Sequence, residues 1–347
     1  MYDSLFAIAE KTGLISGKLS HLAVNLKDEA IIDLMVEEAV KTSEIEGEFI
    51  SRPDVRSSIK NTLGLNAEPV RVHDKRARGV AELMIDVRNS YEHILTEETL
   101  FNWHVMLLSA SPDRNLRIGC WRMHEEPMQI VSGHHGRWAV HYEAPPSKRV
   151  PDEMRQFIAW FNHVPHKAQL GPVRAAIAHL YFESIHPFED GNGRIGRAIA
   201  EKALSQSAGY PVLLSLSQAI EEDKKAYYAA LKQASLSNNI TNWLCYFVNI
   251  ILNALIHVEK KIDFILKKSV FFDKFEKQLN ERQLKVVRRM MQEGIKGFEG
   301  GISAKKYMII GQTSKATATR DLQELLAIGA VRQFGEGRSV RYELNLV

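Results

Sequence analysis

The 347-residue sequence predicts a mainly α protein, and three observations lead to that fold class. Apolar residues recur with the 3.6-residue period of an amphipathic helix in segments such as VRAAIAHLYFESI (173–185) and GRIGRAIAEKAL (193–204). Alternating, β-like patterns are confined to two short segments, near residues 128–151 and 330–344. Neither an internal repeat nor a low-complexity tract is present, which argues against a solenoid.

The first 95 residues form the first predicted region, which is helical and is interrupted by LGLNAEPVRVHD (63–74). A β-hairpin or flap is predicted next, because two alternating segments flank SGHHG (132–136) and end at Pro145 and Pro146. His134 and His135 have no acidic or thiol partners nearby in the sequence, so we expect them to be exposed loop residues.

A helical core is predicted over residues 96–260. In its central helix the 3.6-residue period predicts one apolar face, formed by Val173, Ile177, Leu180, Tyr181 and Ile185. The run WLCYFVNIILNALIHV (243–258) is shorter than the ~20 residues that cross a bilayer and contains polar residues. We therefore expect a buried helix and no membrane as partner.

Residues 271–347 predict a winged helix-turn-helix. Three helical segments, the third with Ser314 as N-cap and Gly329 just after its end, precede two strands around a glycine turn. This region holds 14 Lys and Arg against 9 Asp and Glu, or +5, which leaves −2 for the rest of the chain, whose net charge is +3. The candidate DNA-contacting residues are Lys315, Thr317, Thr319, Arg320, Arg338 and Arg341. Winged helices also bind proteins, so DNA and protein both remain open as partners.

Cysteine usage and the N-terminus predict a cytoplasmic location. Cys120 and Cys245 are too few and too far apart for a disulfide framework or a zinc site. The first residues, MYDSLFAIAEKTG, lack the basic and apolar regions of a signal peptide.

The segment IHPFEDGNGRIGR (185–197) carries the chemistry. It lies between two predicted helices, and Arg194 and Arg197 share one face of the second, which suits successive phosphates. Gly191, Asn192 and Gly193 offer backbone N–H groups at a helix N-terminus, where anions bind. Each feature alone is typical of a turn or of a solvated helix face, but together they predict phosphate binding.

Two further residues of this loop predict a transfer reaction. Asp190 supplies the carboxylate oxygen that Mg²⁺ prefers when phosphates complete its shell, and His186 could accept a proton from a hydroxyl. Phe188 is expected to point into the core. The loop predicts phosphoryl or nucleotidyl transfer. It is not a P-loop, because it follows a helix and lacks G-x-x-x-x-G-K-[ST].

This segment resembles the Fic-domain signature H-x-F-x-[DE]-G-N-G-R-x-x-R at every fixed position. The resemblance implies a helical Fic core with a flap, and transfer of AMP from ATP to a protein hydroxyl with release of pyrophosphate. It implies His186 as the catalytic base and Asp190 as the Mg²⁺ ligand. The ATP-binding residues that it implies are Glu46, Val131, Ser132, Gly133, Asp190, Gly191, Asn192, Gly193, Arg194, Ile195, Gly196, Arg197, Tyr227 and Tyr228.

The implied contacts to the nucleotide stay open at the tyrosine pair and depart from the family pattern at Ser235. Tyr227 and Tyr228 match a tyrosine pair that contacts the base in relatives, although two aromatics on a helix are as readily explained by core packing. Relatives often have asparagine where this chain has Ser235. The flap would clamp target backbone by strand addition.

A second motif, Thr42-x-x-x-Glu46-Gly47, resembles the [ST]-x-x-x-E-[GN] inhibitory motif of Fic proteins. A carboxylate paired with Arg197 would compete with the γ-phosphate of ATP. The resemblance therefore implies autoinhibition by Glu46, in the class with an N-terminal inhibitory helix. It also leaves open a reverse, de-AMPylating activity and a homodimer, which is common among relatives. The alternative function is a DNA-binding regulator that uses the Fic loop as a nucleotide sensor.

Overall fold

The chain is described here from a computed structural model. It covers residues 1–126, 128–134, 137–165, 167 and 170–346, and the side chains of residues 129–134, 137–142, 296 and 338 lie outside the description. Several residues named above are affected, since of Val131, Ser132, Gly133 and His134 only the backbone is described. His135 lies outside the described residues, and of Arg338 only the backbone is described.

The predicted mainly α fold class is confirmed. Two β-hairpins accompany fourteen α-helices in the described ranges. The helices are α1 (Tyr2–Ser20), α2 (Val24–Ile45), α3 (Arg52–Thr62), α4 (Lys75–Asn89), α5 (Glu97–Leu108), α6 (Val150–His163), α7 (Gly171–Ile185), α8 (Asn192–Ala208), α9 (Leu216–Glu222), α10 (Lys224–Ser235), α11 (Thr241–Phe275), α12 (Glu281–Met291), α13 (Ala304–Gly311) and α14 (Lys315–Ala327). The gap between α3 and α4 coincides with the predicted break at residues 63–74.

Helix ends follow ordinary capping rules. The Thr96 side chain accepts a hydrogen bond from the Thr99 N–H at the start of α5. At the start of α14 the Ser314 side chain accepts one from the Thr317 N–H, and Gly329 follows the end of this helix with φ 77°. Both ends of α14 are as the sequence predicts.

The chain divides into two compact units. One comprises residues 1–16 and 31–258, and the other comprises residues 17–30 and 259–347. The division reflects which residues contact one another, and it does not follow the order of the sequence. The three sequence regions, 1–95, 96–260 and 271–347, stay a prediction.

Helices α7 and α8 pack against each other at the centre of the first unit. The apolar face predicted for α7 is wrong in part, because Val173, Ile177 and Tyr181 are only partly buried. Charged and polar residues on other sides of the helix, such as Arg174, are more deeply buried. Neighbouring elements surround α7 and satisfy these groups: Arg174 donates to the carbonyls of Ala203 and Phe161.

The predicted flap is a two-stranded antiparallel hairpin, β1 (Gln129–His134) and β2 (Arg137–Glu143). Its register pairs residue 129 with 143 and residue 134 with 137, and it shifts between Ile130 and Val131. Such a shift bends and twists a strand. The backbone at Val131, Ser132 and Gly133 therefore belongs to a strand of the flap.

The apolar run 243–258 forms part of α11, as the sequence predicts. In the first unit it buries Trp243, Phe247, Ile251 and Leu255. The helix is nevertheless longer than the run. By length and composition alone it is one candidate for crossing a membrane among the described residues, and 44% of its apolar window is buried.

The second unit contains the end of α11, helices α12 to α14 and a hairpin of β3 (Val331–Phe334) and β4 (Arg341–Leu344). The order of three helices followed by two antiparallel strands is as predicted. Assignment to the winged-helix class stays a prediction. Asp321 of α14 holds the three helices together, because it accepts hydrogen bonds from Arg282 of α12 and Tyr307 of α13.

Candidate functional site

The segment 186–191 connects α7 to α8. His186 is the C-cap of α7 and adopts the left-handed conformation, with φ 49° and ψ 60°. A residue with a Cβ adopts this conformation at a cost of about 1–2 kcal/mol, so the surrounding contacts must fix it. Gly191 is the N-cap of α8 with φ 80°, where glycine carries no such cost.

Asn192 holds the segment in a closed turn. Its side-chain amide donates to the Phe188 carbonyl and accepts from the Phe188 N–H, both at 2.9 Å. The Phe188 ring is fully buried, as predicted, and stacks on His104 at 4.0 Å between ring centroids. Both polar atoms of the Asn192 side chain bind Phe188, which leaves the second Nδ2–H and the backbone N–H of this residue to offer a phosphate.

Two residues that the sequence analysis missed fix the backbone of this segment. Arg122 donates from Nε to the His186 carbonyl at 2.8 Å, and its own N–H donates to the Pro187 carbonyl at 2.9 Å. His104 accepts from the Gly119 N–H at Nδ1, so its Nε2 carries the proton that it donates to the Asp190 carbonyl at 3.1 Å. Burial lowers the pKa of His104 to about 4, which keeps the ring neutral.

Arg194 and Arg197 lie on the first two turns of α8, and both are buried. Arg194 donates from Nη1 to Glu48 Oε2 at 2.7 Å and lies 3.4 Å from Asp190 Oδ1. Arg197 donates from Nε to the Thr42 hydroxyl at 2.8 Å and from Nη2 to Glu46 Oε1 at 2.8 Å. Each arginine therefore faces a carboxylate from the segment that follows α2.

The end of α2 places these carboxylates. Gly47 has φ 81°, and the N–H groups of Glu46 and Glu48 both donate to the Ser43 carbonyl. This turn carries the chain back over the last turn of α2, so both carboxylates reach the start of α8. The fit is close at Gly193, where an added Cβ would lie 2.2 Å from Glu46 Oε1.

Electrostatics favour the pairing of Arg197 with Glu46. Burial opposes the charge of Arg197, but Glu46 outweighs that effect and the pKa of Arg197 is raised. Glu38, one turn earlier on the same side of α2 as Thr42, accepts hydrogen bonds from Ser215 and Ser217 at the start of α9. Burial raises the pKa of Glu38. Its contacts attach α2 to α9.

Asp190 has a more open side chain, of which 48% is exposed. It is a single candidate metal ligand, because no group of three or more His, Cys, Asp or Glu suited to a metal occurs in the described ranges. One carboxylate is the donor set expected where substrate phosphates complete the shell of Mg²⁺. Asp190 therefore fits a metal that arrives with a nucleotide.

Tyr227 and Tyr228 lie in different environments. Tyr227 is 2% exposed, and its hydroxyl lies 2.7 Å from His179 Nε2. Tyr228 is half-buried and packs edge-to-face on Tyr227. Burial raises the pKa of both hydroxyls. Of the two, only Tyr228 has surface to offer a nucleotide base.

The remaining candidate ATP-binding residues are two inward-facing residues of α8 and three residues of β1. Ile195 is fully buried, and Gly196 faces inward, where an added Cβ would lie 2.5 Å from Glu183 Oε1. These two residues can reach a nucleotide only through their backbone. Val131, Ser132 and Gly133 lie on β1, and their side chains are outside the description.

Two family models match this chain. Residues 94–204 match the Fic/DOC family, and residues 1–65 match a family described as a domain of unknown function, DUF4172. The chain contains a Fic domain. The Fic/DOC match covers α7, the loop and α8 as far as residue 204, and the other match covers the segment that carries Thr42, Glu46 and Glu48.

Curated relatives extend the comparison. Protein adenylyltransferase fic-1 of Caenorhabditis briggsae is 25% identical over 201 residues, which cover 57% of this chain and 36% of that protein. Protein adenylyltransferase Fic of Drosophila melanogaster is 40% identical over 83 residues, or 24% of this chain and 16% of that protein. The matches thus span about a third or less of these relatives.

Solved structures share the fold. A Fic family protein from Desulfovibrio desulfuricans G20 has a TM-score of 0.56 at 20% identity, covering 99% of this chain and 96% of that one. Fic-1 of C. elegans has a TM-score of 0.52 at 19% identity, covering 74% of this chain and 70% of that one. These likenesses support the mainly α Fic fold.

Proposed function

We propose that this chain is a protein adenylyltransferase that transfers AMP from ATP to a Ser, Thr or Tyr hydroxyl of a target protein or of itself. The observation that carries the proposal is the pair of buried arginines at the start of α8, each paired with a carboxylate, just after the loop that begins at His186. Buried guanidinium groups are costly unless anions face them. A triphosphate is an anion that can replace both carboxylates at once.

The reaction follows from these positions. The first N–H groups of α8 have no partner within the helix, so they can bind the α-phosphate of ATP. Arg194 and Arg197 would take the β- and γ-phosphates after releasing Glu48 and Glu46. His186 would remove the proton of the target hydroxyl, whose oxygen attacks the α-phosphorus while pyrophosphate leaves.

Mg²⁺ bound by Asp190 would neutralise charge on the phosphates. Asp190 would give up its long contact with Arg194 to serve as the ligand. Strand β1 would bind the target backbone, because among the described strands it pairs only with β2 and its other edge could accept another strand. The protein's own groups thus provide the base, the phosphate cradle and the target clamp.

Autoinhibition by Glu46 is part of the proposal. A carboxylate at 2.8 Å from Arg197 occupies the position that a γ-phosphate would need. ATP bound beside it would lie with the α-phosphate out of line for attack. Any change that moves the end of α2 away from α8 would relieve the inhibition.

Intact-mass spectrometry tests the proposal directly. The Glu46→Gly protein incubated with ATP and Mg²⁺ should gain the mass of one or more AMP groups, and Glu46→Gly with His186→Ala should gain none. If neither the Glu46→Gly protein nor any added candidate target acquires an AMP adduct, AMP transfer is refuted.

The same glutamate supports a second reaction to be tested. A carboxylate near the α-phosphate can position water, so the wild-type chain would then remove AMP from a modified protein. Pre-modified Glu46→Gly protein incubated with wild type separates the two activities. Loss of AMP that requires Glu46 supports removal, and unchanged AMP excludes it.

The second unit motivates a DNA-binding candidate. On α14, Lys315, Thr319 and Arg320 are exposed, whereas Ala318, Leu322 and Leu325 face the core. Thr317 and Arg341 are partly buried. A duplex gel shift that weakens with salt and survives His186→Ala would support DNA binding by this helix. A homodimer, a cytoplasmic location and the lack of a membrane partner stay predictions.

A further inference from the structure

Glu183 is a buried carboxylate that the reaction above does not use. It lies one helical turn before His186, at the end of α7, and is 5% exposed. Its Oε2 is 3.6 Å from Nδ1 of His186. Glu183 is the third residue before His186, the C-cap of α7, and the measured distance shows that the two side chains face each other.

Both groups have unused hydrogen-bonding capacity. Among the described residues, His186 Nδ1 and Glu183 Oε1 are buried without a hydrogen-bond partner. The distance of 3.6 Å exceeds that of a hydrogen bond, and catalytic hydrogen bonds often shorten only when substrate binds. A small rotation of either side chain would bring them together.

The surroundings hold Glu183 in its charged form. Burial opposes its ionisation, but His186, His179 and Arg197 outweigh that effect, so its pKa is lowered. Gly196 makes room for the carboxylate, since an added Cβ there would lie 2.5 Å from Glu183 Oε1. The backbone of His186 is fixed independently by Arg122.

We propose that Glu183 is a positioning residue for His186. Its carboxylate would accept the Nδ1–H of the imidazole, which places the lone pair on Nε2 and orients the ring. This inference rests on the proposed function only in assigning His186 as the base. The arrangement of carboxylate and imidazole is present in the structure whatever the reaction is.

The role of Glu183 can be followed through the transfer step. Nε2 of His186 accepts the hydroxyl proton, the oxygen forms a bond to the α-phosphorus, and the bond to the pyrophosphate oxygen breaks. His186 then carries protons on both nitrogens. The charge of Glu183 stabilises this imidazolium without taking its proton, as a buried carboxylate does behind a histidine base.

The first measurement needs no activity. In the full chain with ¹⁵N-labelled histidines, the ring signals of His186 are identified by their loss in His186→Ala. We expect Nδ1 to be protonated and Nε2 unprotonated in neutral wild-type protein. A carboxylate only accepts hydrogen bonds, whereas an amide also donates, so Glu183→Gln should remove this preference. An unprotonated Nδ1 in the wild type would overturn the inference.

The second measurement is kinetic, in the Glu46→Gly background. Glu183→Gln should lower kcat by about 10- to 100-fold, less than the roughly 100- to 10,000-fold that the general base itself contributes, and change KM for ATP by less than about twofold. Asp86→Asn is the matched control, since Asp86 is also an internal carboxylate and bonds Trp103 rather than a residue of the loop. Equal kcat for both variants would overturn the inference.

Two outcomes separate failure of this inference from other failures. If Glu46→Gly transfers no AMP while the tautomer preference depends on Glu183, the proposed function fails and the positioning contact stands. If Glu183→Gln does not fold, as judged by thermal unfolding, Glu183→Asp replaces it. The shorter carboxylate still accepts, so Glu183→Asp should keep the wild-type tautomer, and loss of that tautomer would count against the proposal.

Discussion

Replacing Glu46 by glycine should activate AMP transfer. Glu46 contributes a hydrogen bond of 2.8 Å between its Oε1 and Nη2 of Arg197, whose side chain is 1% exposed. The variant removes this carboxylate and leaves Arg197 its two contacts with Thr42. A γ-phosphate could then bind Nη2 without displacing a protein anion.

The expected gain follows from the strength of that contact. A hydrogen bond between charged groups contributes about 1.5–3 kcal/mol, and about 1.4 kcal/mol corresponds to a tenfold change in an equilibrium. The Glu46 side chain is 26% exposed, so solvent screening favours the lower end. We expect AMP incorporation to rise roughly tenfold or more. The variant without nucleotide should also unfold at a lower temperature, because Arg197 loses its anion.

Initial rates of AMP incorporation, followed by intact mass, measure the effect. Glu44→Gly is the matched control: Glu44 lies two residues earlier and pairs with Lys41 rather than with an arginine of α8. ATP with Mg²⁺ should raise the unfolding temperature of Glu46→Gly more than that of wild type. Equal rates for Glu46→Gly and wild type would refute the assigned role of Glu46, and equal activation by Glu44→Gly would show a general loosening of α2.

Three further perturbations test the site and the second unit. Asn192→Ala should lose the two hydrogen bonds to Phe188, lower stability by about 1–3 kcal/mol and reduce AMP transfer in the Glu46→Gly background, as measured by urea unfolding and mass spectrometry. Acidification should destabilise the wild type: burial lowers the folded pKa of His104 to about 4, so its contribution of up to roughly 3 kcal/mol is present above pH 6.5 and lost as pH falls towards 4. His104→Gln should flatten that dependence in thermal unfolding at several pH values, and an unchanged slope would contradict it. Asp321→Asn should weaken the contacts with Arg282 and Tyr307 and lower the stability of the second unit by about 1.5–3 kcal/mol, which hydrogen exchange of α12 to α14 would report.

Local patterns explain why much of the fold could be predicted. Ser314 and Gly329 identify both ends of α14, because a capping hydroxyl and a left-handed glycine each act within one turn. The loop was predictable for the same reason. Its histidine, glycines and arginines are contiguous in the sequence, and Phe188 needed only its apolar ring to indicate the core.

Residues that act across long sequence distances could not be predicted. Arg122 reaches the carbonyl of His186, 64 residues away, and no local pattern in the sequence marks it. The face of α7 was misjudged because hydrophobic periodicity assumes one exposed side, and α7 is surrounded. Tyr227 was undecided for a related reason, since only tertiary structure shows its hydroxyl on His179. Glu183 had a local signal, its position three residues before His186, the C-cap of the same helix.

The contacts at Glu48 extend the argument about regulation. Glu48 lies two residues beyond Glu46 and binds Arg194, so one turn at the end of α2 occupies both arginines of α8. Two carboxylates on two guanidiniums resemble in charge and number the two terminal phosphates that the site is proposed to bind. Because Glu46 and Glu48 both depend on the turn at Gly47, they should leave together rather than singly. A single displacement of this turn, or its loss, would therefore free the whole phosphate cradle, and removal of Glu48 alone should activate less than removal of Glu46.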